Sequence, residues 1–101
     1  MSSSTPANDA APSRRWACHF SGHVQGIGFR YTTQTIARRY PVTGYVRNLI
    51  DGRVELVMEG EERDLRAILD ELKRQLQGYI ERTDLQEHPA LGEFAEFSIR
   101  H

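Results

Sequence analysis

The chain has 101 residues, 39% hydrophobic and 27% charged, with 13 basic and 14 acidic side chains and a net charge of −1. That suits one domain around one modest core and gives little long-range pull toward nucleic acid or an anionic membrane. Cys18 is the only cysteine, which excludes an intrachain disulfide. No apolar run approaches the ~20 residues of a membrane-spanning helix, so the expectation is a cytoplasmic protein with no membrane or nucleic-acid partner.

Met1 to Ser13 is dominated by Ser, Pro, Ala and Asn and lacks the apolar stretch of a secretory signal. It reads as a disordered tail ahead of one domain over 14–101. Trp16, Cys18 and Phe20 alternate with Ala17, His19 and Ser21, the pattern of a half-buried strand. Three glycines follow, at 22, 26 and 28. Phe29, Thr33, Ile36, Ala37 and Tyr40 then recur at helical spacing. Arg38 and Arg39 fall in the expected last turn, and Pro41 disfavours helical geometry at Tyr40.

Val42–Leu49 and Arg53–Glu59 read as two strands, with Asp51-Gly52 as the hairpin signal between them. Val54, Leu56 and Met58 share one face. Glu55, Val57 and Glu59 share the other, which is expected to be mostly wet. Gly60 to Asp64 opens a second helix, in which Leu65, Ile68, Leu69, Leu72 and Leu76 form the clearest periodicity of the chain. Gly78 reads as its cap. Tyr79–His88 and Phe94–Arg100 are strand-like, with Pro89 and Gly92 marking the turn between them.

The order strand, helix, strand, strand, helix, strand fits an α+β fold: a ferredoxin-like βαββαβ sandwich, an antiparallel sheet with two helices packed on one face. In that topology the glycine loop after the first strand, Arg30 at the start of the first helix, and Asn48 at the end of the second strand gather at one rim of the sheet.

The loop Gly22-His23-Val24-Gln25-Gly26-Ile27-Gly28-Phe29-Arg30 invites an oxyanion. Inward amides, a helix N-terminus and a guanidinium all favour phosphate. It is neither a Walker loop, since no lysine follows the glycines, nor a dinucleotide fingerprint. Spacing alone leaves a plain tight turn equally open. Arg30 tilts the balance, because a first-turn arginine opposes the helix dipole unless an anion offsets it. At ~4 Å and an effective dielectric of ~20, one such ion pair is worth roughly 4 kcal/mol before desolvation. Asn48 fits either a cap of the hairpin turn or an amide that orients a water.

Cys18 has Val24, not arginine, six residues on, so it does not fit a cysteine phosphatase and reads as a core side chain. His19, His23, His88 and His101 lack metal-ligand spacing. No D-x-D pair offers an aspartyl nucleophile. An anion cradle without metal or nucleophile suits a labile mixed anhydride of carboxylic and phosphoric acid better than an unactivated phosphate ester. An RNA-binding module of similar topology would need aromatics on a central strand, and Arg53-Val54-Glu55-Leu56-Val57-Met58 has none.

The segments G-H-V-Q-G-I-G-F-R (22–30) and G-Y-V-R-N-L-I-D-G-R-V-E-L-V-M-E-G (44–60) resemble the two signature elements of the acylphosphatase family, with similarity running from Trp16 to Arg100. The resemblance implies a cofactor- and metal-independent enzyme that hydrolyses small acyl phosphates to carboxylate and inorganic phosphate. The phosphate is expected to act also as a competitive inhibitor, and a monomer is the simplest expectation for a chain whose sequence does not fix its oligomeric state. Carried over by motif position, Arg30 and the N–H groups of His23, Val24, Gln25, Gly26, Ile27 and Gly28 bind the phosphoryl group, and Asn48 positions the attacking water. Gly78-Tyr79 stands where the family frequently has Gly-Pro. The acylphosphatase-like module of hydrogenase maturation proteins, which handles carbamoyl phosphate, is a third reading; those chains are large and cysteine-rich, unlike this one.

Overall fold

The computed structural model describes residues 13–101, and the expected tail before Ser13 lies outside the described residues. The elements are β1 (Ser13–Gly22), α1 (Phe29–Ala37), β2 (Thr43–Asn48), β3 (Val54–Glu61), α2 (Glu62–Gln75), β4 (Ile80–Pro89) and β5 (Phe97–Arg100). The strands make one sheet in the order β4-β1-β3-β2-β5.

β1 pairs antiparallel with β3 and β4, and β2 pairs antiparallel with β3, which is the expected ferredoxin-like core. The sheet is nevertheless mixed rather than wholly antiparallel, because β5 lies parallel to β2. The cause is the path of the chain. β4 ends at one edge, residues 90–96 cross the face opposite the helices, and the chain enters the other edge in the direction of β2.

One face is built by alternation. Trp16, Cys18 and Phe20 from β1, Val46 from β2, and Val54, Leu56 and Met58 from β3 are buried against Phe29, Ile36, Leu65, Ile68, Leu69 and Leu72 of the two helices. Each large apolar side chain so buried contributes about 1.5–3 kcal/mol. The Phe20 and Phe29 rings meet at 5.1 Å. They clamp together the two ends of the glycine loop, and the fully buried Val24 anchors its middle.

Both helices start or stop slightly off their sequence pattern. α1 ends at Ala37, and Arg39 and Tyr40 donate to Ile36 O (3.1 Å) and Ala37 O (3.0 Å). These tighter i to i−3 bonds finish the helix before Pro41 and leave Arg38 and Arg39 beyond its last turn. Gly60 and Glu61 stay in β3, because the ladder with β1 runs on to the Ser13–Glu61 pair. α2 carries Glu62 and Asp64 in its first turn and Lys73 and Arg74 in its last, as its dipole favours.

The second face of the sheet is not wet. Val57 is 3% exposed and Glu59 5%, because the strap of residues 90–96 lies over them. Glu59 accepts hydrogen bonds from the amides of Leu91 and Gly92 (2.9 Å each) and from Arg15 Nη1 (3.1 Å). Phe94 packs edge-on against Tyr45 with ring centroids 5.7 Å apart, and the Arg100 guanidinium stacks 4.0 Å over the Tyr45 ring. Burial pushes the Glu59 carboxyl up, but the two amides and Arg15 outweigh it and hold the group below its ordinary range.

Candidate functional site

The glycine loop leaves β1 at Gly22, turns at Gln25 and Gly26, and delivers the chain to α1. Gly26 and Gly28 have φ of +82° and +80°. A Cβ at either position would meet nothing within 4 Å, so glycine serves the dihedral rather than the space. Left-handed backbone costs other residues about 1–2 kcal/mol.

Gly28 precedes α1 and supplies no side-chain cap, and the first turn holds no acidic residue. The first amides of the helix thus lack an internal acceptor, and the turn carries Arg30 instead. The N–H of His23 is engaged: it donates to Tyr79 O at 2.9 Å. It therefore leaves the set of amides free to meet a ligand. Those of Gln25, Gly26 and Gly28 make no hydrogen bond among the described residues.

A cavity of about 190 Å³ opens at this rim, lined by Val24, Gly26, Gly28, Phe29, Arg30, Tyr31, Asn48, Ile99 and His101. The topology thus brings together the loop, Arg30 and Asn48, as the strand order implies. Asn48 is the last residue of β2, paired with Val54. His23, Gln25 and Ile27 do not line the cavity.

Arg30 is paired with no carboxylate among the described residues. Its Nη1 meets Arg100 O at 3.4 Å and His101 Nδ1 at 3.2 Å. The guanidinium is thereby oriented by the end of β5, while its remaining donors stay available. Nothing in the spacing of Arg100 and His101 signals this contact, which depends on the parallel docking of β5.

Gln25 has a second role that sequence reasoning missed. Its Nε2 donates to Leu49 O (2.7 Å) and Arg53 O (3.0 Å) across the β2–β3 hairpin.

Cys18 is fully buried, and burial pushes its thiol up to about 12, so it offers no thiolate. Among the described residues, no group of three or more His, Cys, Asp or Glu could hold a metal ion, and no helix is long and apolar enough to cross a membrane.

Residues 16–99 match the family model described as Acylphosphatase. The chain is 41% identical to an acylphosphatase of Marinobacter nauticus over 88 residues, covering 86% of this chain and 96% of that one. It is 42% identical to an acylphosphatase of Paenarthrobacter aurescens over 86 residues, covering 84% and 92%. The crystal structure of acylphosphatase from Bacillus subtilis is similar with a TM-score of 0.80 at 31% identity, covering 87% of this chain and 99% of that one. Full-length HypF in its phosphate- and nucleotide-bound form contains a similar unit, with a TM-score of 0.79 at 26% identity over 91% of this chain and 12% of HypF.

Proposed function

The chain belongs to the acylphosphatase family and is an acyl-phosphate hydrolase, and from that premise we propose how its own residues carry out the reaction. Arg30 and the loop amides from Val24 to Gly28 hold the phosphoryl oxygens, and the Asn48 carboxamide directs a water at phosphorus. The water oxygen forms the new P–O bond while the bond from phosphorus to the carboxylate oxygen breaks. The carboxylate leaves as a stable anion and needs no proton. The proton lost by the water goes to a phosphoryl oxygen, which makes inorganic phosphate.

The observation that supports this reading is the cavity itself: Arg30, which has no carboxylate partner among the described residues, Gly26 and Gly28, whose amides have no acceptor among them, and Asn48 all border one small space. Such preorganised donors act most strongly where charge develops in the transition state. The same set would hold free phosphate, which should compete with substrate. We also read the protein as a cytoplasmic monomer, which sizing in solution would test.

The test is hydrolysis of benzoyl phosphate in the presence of chelator. Arg30→Gln and Asn48→Ala should each lower turnover by about 10²-fold or more, the scale for removing one transition-state donor. Arg30→Gln should also weaken inhibition by phosphate. An Asn48→Ala protein that keeps near-full turnover would overturn the water-directing role.

A further inference from the structure

We propose that Gln25 is a positioning residue: its side chain sets the spacing between the phosphate loop and the strand end that carries Asn48. The proposal rests on the reading of Asn48 as the group that directs water.

The geometry is direct. One nitrogen of Gln25 donates to two main-chain carbonyls, Leu49 O at 2.7 Å and Arg53 O at 3.0 Å. Those residues also close the hairpin, since the Leu49 amide donates to Arg53 O at 2.8 Å. Leu49 directly follows Asn48, and Gln25 directly precedes Gly26, which lines the cavity. A single carboxamide thus bridges the two walls of the cavity. Among the described residues no other hydrogen bond joins residues 23–28 to the hairpin.

The loop needs such a bridge. Gly26 and Gly28 make its backbone permissive. Its other ties, the buried Val24 side chain and the bond from His23 N–H to Tyr79 O, point away from the hairpin, toward the core and the start of β4. The carboxamide nitrogen carries two hydrogens on one atom, one for each carbonyl. Glutamate of the same shape, when ionised, would turn an acceptor toward two acceptors. Both bonds are exposed, so their loss should barely change overall stability. A misplacement of 1 Å between reacting groups can cost 10²-fold in rate, so the loss should appear in turnover.

The experiment is a double-mutant cycle of Gln25→Leu and Asn48→Ala, following kcat and KM for benzoyl phosphate, inhibition by inorganic phosphate, and thermal unfolding. Gln25→Leu alone should lower kcat by about ten-fold, with KM and phosphate inhibition within about two-fold and little change in melting temperature. In the Asn48→Ala background it should cost nothing further, because the group it positions is gone. A Gln25→Leu protein with unchanged kcat, or with the same loss in both backgrounds, overturns the proposal. Full turnover by Asn48→Ala alone sinks the water-directing reading first, and the role of Gln25 with it.

Gln25→Glu supplies a second readout should the leucine variant fold poorly. A protonated glutamate can donate one hydrogen to a carbonyl and an ionised one cannot. Its kcat relative to the parent protein should therefore rise as pH falls through the titration of the new carboxyl. A ratio that stays flat with pH counts against the proposal.

Discussion

The glycine loop and the strap of residues 90–96 are built from the same parts. Each offers main-chain amides to an oxyanion, and one guanidinium joins them: Arg30 at the end of the loop, and Arg15 reaching the strap's site from β1. In the strap the anion belongs to the chain: Glu59 takes the amides of Leu91 and Gly92 and the Nη1 of Arg15. In the glycine loop, Gly26 and Gly28, whose amides make no hydrogen bond among the described residues, and Arg30 line a cavity in which no Asp or Glu side chain of the described residues takes part. A nest filled from within is a structural fastening. A nest left open to solvent is a binding site. The difference lies in whether the fold brings a carboxylate of its own to the donors.

That contrast predicts opposite phenotypes for the two nests. Glu59→Ala leaves Arg15 and two amides without their shared acceptor, and should cost about 3 kcal/mol of unfolding free energy in a denaturant titration. Its kcat should change far less than that of Arg30→Gln. Arg30→Gln should lose its ~10²-fold in turnover, equivalent to about 2.7 kcal/mol, with little change in denaturation midpoint. Equal stability losses in both variants would erase the distinction between a closed and an open nest.

Smaller effects sharpen it. Gly28→Ala imposes left-handed strain of about 1–2 kcal/mol on the open nest, and should lower both stability and affinity for phosphate. Inorganic phosphate at ten times its dissociation constant should raise the unfolding free energy by about 1.4 kcal/mol. Arg30→Gln should largely abolish that protection, and Glu59→Ala should keep it in proportion.

The acid limb of stability separates the nests again. The Glu59 carboxyl is held below its ordinary range in the folded protein, so its contribution is complete above the unfolded value of about 4.3. It drains away as pH falls through the lower folded value. Burial pushes Glu55 up too, but bonds from Arg47, Tyr45 and His19 depress it overall, so the same sign applies. Acid unfolding followed by circular dichroism should have a shallower limb in Glu59→Ala. An unchanged limb would mean that Glu59 titrates alike in both states.

Much of the fold was legible from local pattern. The spacing of Leu65, Ile68, Leu69 and Leu72 marks α2, because a buried helical stripe repeats on the helix's own period. The alternation in β3 separates a core face from its opposite. Arg30 and Asn48 could be placed at one rim because the direction of each strand follows from the element order. What local pattern did not disclose involves partners distant in the chain. The seemingly wet face of β3 is covered by a strap whose sequence carries no periodicity. The His23 amide, which reads as part of the cradle, is engaged by Tyr79 O. The Gln25 side chain reaches two carbonyls of a hairpin that no spacing rule connects to it.

Order of residues alone determined the element types, the glycine positions able to hold a left-handed backbone, and the pair of polar side chains brought to one rim, because these follow from stereochemistry and short-range periodicity. Only the tertiary structure decided which amides keep their hydrogens free, which carboxylate fills its own nest, and which carbonyls hold the walls of the cavity apart. Hydrogen bonding is short-ranged, and its partners are chosen only once distant segments have packed together.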